Sequence, residues 1–264
     1  MTTGSGSIGR WRRAAGAAQG LLFLVLPFVH LGGESALRFD VPSLTLHVFG
    51  AALAMNEFFV LLPATIFVAF LFLAVTVAFG RVWCGWSCPQ TVLGDLTRLV
   101  LPTPGRRRRP WRRAAGFAVA ALVSLLFGAA TVWYFVPPAE FLGDLAAGRL
   151  GPVAAGSWAI LSAVLFLDLA FVRARFCATA CPYAKLQGVL YDKGTLVVAY
   201  DERRDADCVD CGACVRCCPT GIDIRDGLQM ECIACAECID ACRPIMLKLK
   251  RPTDLVGYFY GEPG

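Results

Sequence analysis

The sequence predicts an α-helical membrane protein with four transmembrane helices, arranged as two repeated helix pairs, followed by a small cysteine-rich α+β domain. Hydrophobic residues make up 57% of the 264 positions, more than a soluble fold of this length needs. Nine of the thirteen cysteines lie between residues 208 and 242. Such close spacing is typical of metal ligands in a reducing compartment rather than of a disulfide framework.

Four apolar segments are long enough to cross a bilayer, which takes about 20 residues. We predict membrane helices at residues 14–31, 58–79, 114–136 and 153–172. The first segment could also be a signal peptide, but no A-x-A-like cleavage site follows it and three more spans come later. We therefore interpret it as an uncleaved helix that follows a flexible N-terminus at residues 1–13.

Basic residues are concentrated in alternate connections between the predicted helices. Residues 80–113 contain eight arginines, whereas residues 32–57 and 137–151 contain one each. The positive-inside rule then predicts that the N-terminus, the arginine-rich loop and everything after residue 176 lie on the cytoplasmic side of a bacterial inner membrane. Because these basic residues adjoin apolar segments, and residues 183–264 carry 13 acidic against 10 basic residues, nucleic-acid binding is not expected.

Each predicted helix pair ends in an aromatic residue followed by C-x-x-x-C-P. Thiols four residues apart share one face of a helix, and both motifs fall at the predicted cytoplasmic boundary, where four sulfurs could come together. Four soft ligands suit copper(I), iron–sulfur or redox-active thiol chemistry. Alternatively, they are small buried residues at helix ends. The residues of this candidate copper or redox site are Cys84, Cys88, Cys177 and Cys181.

Two further runs of cysteine repeat the spacing C-x-x-C-x-x-C-x-x-x-C. Three thiolates from one tight loop can hold three irons of a cubane, and in two-cluster ferredoxins the last cysteine of each run serves the other cluster. Structural zinc sites instead use pairs of close cysteines separated by a longer gap. We therefore predict two [4Fe–4S] clusters, the first held by Cys208, Cys211, Cys214 and Cys242, and the second by Cys232, Cys235, Cys238 and Cys218.

Two residues depart from the simplest form of this motif. Cys217 adjoins Cys218 but is out of register for ligation, so we interpret it as a small packed residue. Pro244 stands one position later than the proline that follows the first run. The predicted domains are a membrane domain at 14–182 that includes both C-x-x-x-C-P motifs, a bacterial ferredoxin-like α+β domain with two [4Fe–4S] clusters at 183–250, and a C-terminal tail at 251–264.

Residues 80–92, 219–229 and 231–233, with segment 47–50 in the predicted outer loop, closely resemble the CcoG polyferredoxins, also called FixG or RdxA. The resemblance runs from about residue 14 to residue 250. It implies an accessory protein for assembly of cbb-type cytochrome c oxidase, proposed to reduce Cu(II) to Cu(I), with oxidase-assembly or copper-handling proteins as partners. Family members usually continue into another membrane helix and an immunoglobulin-like periplasmic domain, whereas this sequence stops at Gly264.

Three functions are compatible with these features. The first is an oxidoreductase that passes electrons from the clusters to copper, and the connector at 221–229 favours it. The second is an electron-transfer subunit resembling NapH, which links quinol to a periplasmic reductase through a similar layout. The third is an assembly scaffold whose clusters serve only as structure. No segment resembles a nucleotide-binding fingerprint, so we expect electrons to arrive from a partner such as a ferredoxin, a flavoprotein or quinol.

Overall fold

The computed structural model describes residues 7–31, 34–54, 58–98 and 110–261. It divides into two compact units. The first unit takes in residues 1–17, 69–92 and 173–264, and the second takes in residues 18–68 and 93–172. Among the described residues, three helical segments are long and apolar enough to cross a membrane, at 62–79, 110–133 and 152–172.

The described elements before residue 100 are, in chain order, α1 (Ser7–Val25), a 3-10 turn (Leu26–Phe28), β1 (His30–Leu31), β2 (Glu34–Ser35), β3 (Leu37–Asp40), β4 (Thr45–Val48), β5 (Ala51–Ala54), α2 (Phe58–Phe79), α3 (Val82–Trp86) and α4 (Pro89–Arg98). The later ones are α5 (Pro110–Trp133), α6 (Pro138–Ala146), α7 (Pro152–Leu167), a π-helical turn (Asp168–Val172), α8 (Arg175–Thr179), α9 (Pro182–Leu190), β6 (Leu196–Tyr200), a 3-10 segment (Glu202–Asp207), α10 (Ala213–Cys217), a 3-10 turn (Ile224–Asp226), α11 (Glu237–Lys248) and β7 (Val256–Tyr260). Proline begins α4, α5, α6, α7 and α9, because its fixed φ suits the first helical position, where its missing N–H costs nothing.

The second, third and fourth predicted spans are confirmed as long apolar helices by α2, α5 and α7 with its π-helical turn. The first span differs from the prediction. Residues 7–13, predicted to be flexible, are helical, and α1 ends at Val25 because Pro27 disfavours further helix. Residues 30–31 form β1 instead of helix. The run of four arginines at 106–109, for which the cytoplasmic side is predicted, lies outside the described residues.

The second unit is built on the packing of α5 against α7. Small residues recur at every fourth position on the buried face of α5, namely Gly116, Ala120, Ser124 and Gly128. A Cβ at Gly128 would lie 3.2 Å from the backbone nitrogen of Ser162 in α7, so the two backbones approach closely, as small residues allow in membrane helices. Strands β3, β4 and β5 form an antiparallel meander in the same unit, with His47 of β4 opposite Arg38 of β3.

The first unit contains the cysteine-rich module. Strands β6 and β7 pair antiparallel, with Leu196 opposite Tyr260 and Tyr200 opposite Val256. The residues predicted as a C-terminal tail therefore supply the second strand of the domain. The core of the module consists of buried side chains from β6, β7, α11, the 3-10 turn at Ile224–Asp226 and the loop at residues 234–236. Gly80, with a φ of 57°, ends α2 in this unit where a Cβ would lie 2.5 Å from the Leu196 carbonyl oxygen, so only glycine fits there.

Candidate metal centres

The two cysteine runs fold into loops with the same backbone conformation. In the first loop, Asp210 and Gly212 have φ values of 48° and 61°, and in the second loop Ala234 and Ala236 have 51° and 60°. Left-handed residues such as these turn backbone N–H groups into a concave, anion-binding arrangement. The helices α10 and α11 begin directly after Gly212 and Ala236. The chain thus builds the same kind of loop twice.

Each loop borders a cavity lined by one of the two predicted cysteine sets. One cavity is lined by Cys208, Cys211, Cys214 and Cys242. The other is lined by Cys218, Cys232, Cys235 and Cys238, together with Cys214. Each cavity contains about 350 Å³ of space that protein atoms do not fill, open solvent included. The last cysteine of each run therefore lies on the cavity of the other run, as in two-cluster ferredoxins.

The chemistry of these cavities fits iron–sulfur clusters. Burial raises the pKa of Cys235 to about 12 and that of Cys242 to about 11. Thiols in such surroundings stay neutral near pH 7 unless bound metal compensates the thiolate charge. Within the described part of the chain, no group of three or more His, Cys, Asp or Glu side chains could hold a metal ion. Each cavity is lined by the four thiols that one [4Fe–4S] cubane takes as ligands.

Two details around the ligands follow from local structure. The Cys217 thiol donates a hydrogen bond to the Cys214 carbonyl oxygen at 3.1 Å, and burial raises its pKa to about 12, in agreement with a packed residue. Helix α10 ends at Cys217, whereas α11 continues through Cys242 and Pro244 to Lys248. The displaced proline therefore lies inside the second helix, where its missing N–H removes one intrahelical hydrogen bond.

The structure places the four membrane-edge cysteines in one region of the first unit. Like the other described residues, they form no group of three that could hold a metal ion as arranged. Burial is the main cause that raises the pKa of Cys84 to about 12, and the charges of Cys88, Cys177 and Cys181 raise it further, while Arg81 opposes them. Cys84 is 7% exposed and the other three are partly buried. The first pair lies in and just after α3, and the second pair in and just after α8. A soft-ligand copper or redox role for them stays a prediction.

Cys84 also packs against the loop of the second cysteine run, residues 232–236. Cys84, Ile233 and Cys235 form one buried group, with Cys177 and Tyr183 packed at its border. At Gly85 the two backbones meet, because a Cβ there would lie 2.5 Å from the Ile233 carbonyl oxygen and 2.8 Å from the Cys235 Cα. The two groups of cysteines that the sequence separates are therefore neighbours within one unit.

Side chains beside Gly85 hold this contact in place. The Trp86 Nε1 donates to the Tyr258 hydroxyl at 3.2 Å, and that hydroxyl donates to the Ala234 carbonyl oxygen at 2.9 Å. The first two bonds tie α3 to the loop between Cys232 and Cys235 through Tyr258. Tyr183 and Thr76 share a hydroxyl–hydroxyl hydrogen bond of 3.0 Å, which ties the end of α2 to α9.

Sequence reasoning missed two arginines that support the site. The Arg12 side chain donates to the Gly85 carbonyl oxygen at 3.3 Å and pairs with Glu237. The Arg81 side chain donates to the carbonyl oxygens of Ala184 and Met230. Both arginines flank predicted spans, so in the sequence they carry only the signal of membrane orientation. Nothing in their local sequence separates a buried hydrogen-bonding arginine from a topogenic one.

Family models match both cysteine-rich parts of the chain. A model described as a 4Fe-4S dicluster domain matches residues 172–206 and 203–260. A second, described as a 4Fe-4S binding domain, matches residues 61–112. Together with two cysteine-lined cavities and three apolar helices, these matches define a membrane-associated electron-transfer protein that carries two [4Fe–4S] clusters.

Comparison with curated proteins defines the family. The chain is 36% identical to Protein RdxA of Cereibacter sphaeroides over 85% of this chain and 53% of that protein. It is 34% identical to the nitrogen fixation protein FixG of Rhizobium meliloti over 85% of this chain and 49% of that protein. It is 30% identical to the ferredoxin-type protein NapH of Escherichia coli over 61% of this chain and 59% of that protein. The chain belongs to the FixG/RdxA family of polyferredoxins.

The chain spans about half the length of RdxA and FixG. No solved structure matches it significantly.

Proposed function

We propose that the protein reduces Cu(II) to Cu(I) at the cytoplasmic membrane and so assists assembly of the copper centre of a cbb-type cytochrome c oxidase. The observation that carries the proposal is the buried group formed by Cys84, Ile233 and Cys235, which joins a membrane-edge thiol to the loop of the second cysteine run. Soft sulfur ligands select copper(I) over copper(II). Clusters held by thiolates reach potentials well below that of cupric ion, so electron flow toward copper is downhill.

In this function the two groups of cysteines have different tasks. Cys84, Cys88, Cys177 and Cys181 bind copper, while the eight module cysteines hold the clusters that store electrons. Each Cu(II) takes up one electron and becomes Cu(I), without transfer of a proton. A partner supplies the electrons, and its chemical class is a reduced ferredoxin, a flavoprotein or quinol. Oxidase-assembly or copper-handling proteins receive the copper(I).

We place the N-terminus, the arginine-rich loop and the cluster module in the cytoplasm, with α1 serving as a fourth membrane helix. The distribution of arginine supports this orientation. A second observation also supports it. One compact unit contains the first turns of α1, the C-terminal end of α2 and the cluster module.

A second candidate function is that of an electron-transfer subunit that links quinol to a periplasmic reductase. The 30% identity to NapH over 61% of the chain favours it. In that function, the membrane-edge cysteines are structural or serve a redox centre other than copper, and copper has no effect on electron transfer.

Deletion and complementation test the proposed function. In a deletion strain grown at low copper, we expect cbb-type oxidase activity to fall, and the plasmid-borne gene to restore it. A plasmid with Cys84, Cys88, Cys177 and Cys181 all changed to Ser should fail to restore it, whereas the matched control Cys217→Ser should succeed. Full oxidase activity in the deletion strain would contradict the proposal.

A further inference from the structure

The first turns of α1 connect three elements of the first unit. The Gly9 backbone N–H donates to the Asp240 carboxylate of α11 at 2.6 Å. The Arg12 guanidinium donates to the Gly85 carbonyl oxygen of α3 at 3.3 Å. It also pairs with Glu237 in the first turn of α11. Arg12 is only 3% exposed. A permanently charged side chain is thus enclosed between the membrane-edge segment and the module.

The Arg12 charge acts on the second ligand set. The Arg12 guanidinium donates to the Gly85 carbonyl oxygen, and a Cβ at Gly85 would lie 2.8 Å from the Cys235 Cα. Its ion-pair partner Glu237 lines the cavity of the second set. The Glu237 side chain is 23% exposed and that of Arg12 is 2% exposed. Water therefore screens the Glu237 carboxylate more than the guanidinium, so the two charges do not cancel fully. Arg81 adds a second positive charge beside this loop, because it donates to the Met230 carbonyl oxygen two residues before Cys232.

The first ligand set has a different charge environment. The arginine that lines the cavity of this set is Arg225, which is 29% exposed and pairs with both Asp223 and Asp210. Two carboxylates therefore offset one solvent-exposed guanidinium. Cys211, another ligand of this set, is itself exposed, so water also screens the charges around it.

We propose that Arg12 makes the cluster of the second ligand set the more readily reduced of the two, while it fixes α3 against the loop that holds this cluster. Reduction adds one electron, hence one negative charge, and a buried positive charge nearby stabilises that form. Arg12 is a positioning residue, because its side chain bonds to Gly85 and Glu237, neither of which is a cluster ligand. Its charge also influences the reduction potential of the nearby cluster. The inference holds whether or not copper is the acceptor, so it can fail independently of the proposed function.

The test is a redox titration followed by electron paramagnetic resonance, on the full chain purified anaerobically in detergent. Arg12→Gln is compared with Arg10→Gln, whose side chain is exposed on the same helix. A Cys211→Ser variant identifies the signal of the first cluster. In Arg12→Gln we expect the second cluster to become at least tenfold harder to reduce, about 59 mV for a one-electron couple. The first cluster, and both clusters of Arg10→Gln, should keep their potentials.

A second variant decides the matter if Arg12→Gln loses iron. Glu237→Gln removes the carboxylate that offsets Arg12, so the second cluster should shift in the opposite direction and become easier to reduce. Arg12→Lys keeps the charge and should retain most of the wild-type potential. Equal potentials in Arg12→Gln and Arg10→Gln would overturn the inference. So would a shift of the second cluster toward harder reduction in Glu237→Gln.

Discussion

Cys84 of the first C-x-x-x-C-P motif and Cys235 of the second cysteine run belong to one buried group, together with Ile233. The contact brings a membrane-edge thiol to the ligand loop of an electron-carrying module. The proposed copper-binding thiols and the cluster module are therefore connected through packed protein.

The close approach at Gly85 should not tolerate a side chain. A Cβ there would meet backbone atoms of Ile233 and Cys235, which cannot move as a flexible side chain would, so Gly85→Ala should cost about 1–3 kcal/mol of stability. Thermal unfolding and iron content should report a lower midpoint and loss of the second cluster.

Gly94→Ala is the matched control for this variant, because nothing lies within 4 Å of its Cβ position. In helix α4, alanine should leave stability unchanged or raise it slightly. Equal unfolding midpoints for Gly85→Ala and Gly94→Ala would show that the backbone contact does not contribute to stability.

The cluster assignment predicts the metal content. Anaerobically purified protein should contain about eight irons and eight acid-labile sulfides, because each of two cubanes has four of each. Cys208→Ser or Cys232→Ser should lose a cluster. Cys217→Ser should keep both, since the Cys217 thiol donates to a backbone carbonyl and is out of register for ligation. Iron near four per chain, or zinc in place of iron, would refute the assignment.

Reporter fusions test the proposed orientation. Alkaline phosphatase is active only after export, so a fusion after Gly264 should be inactive and one near Asp144 should be active. The first fusion follows the cluster module and the second lies in α6, between two of the long apolar helices. The opposite pattern of activities would contradict the orientation.

The spacing of the cysteines is a local property, so the sequence alone can predict the two sets. Three thiols at two-residue intervals can converge on one cubane only through a tight loop, and both cavities are lined by the cysteines so assigned. The three long spans could be predicted for a similar reason, since length and hydropathy are read within one segment.

The contacts around Arg12 could not be predicted, because they depend on residues more than 200 positions apart. Arg12 pairs with Glu237, and Gly9 bonds to Asp240, yet the sequence around Arg12 matches that of any basic flank of a membrane helix. The same long-range contacts explain why residues 7–13 are helical where composition predicted flexibility. Likewise, β7 forms because Val256–Tyr260 pairs with β6, which no local pattern indicated.

In the proposed function, electrons stored in the clusters reach copper through the membrane-edge thiols. The most direct measurement is the anaerobic reoxidation of dithionite-reduced protein, followed by visible absorbance with and without added Cu(II). It is made on the wild type, on the Cys84/Cys88/Cys177/Cys181 quadruple Ser variant, and on Cys217→Ser. We predict that copper accelerates reoxidation in the wild type and in Cys217→Ser, but not in the quadruple variant with both clusters intact. Wild-type reoxidation no faster with copper than without it would contradict the account and favour the quinol-linked function.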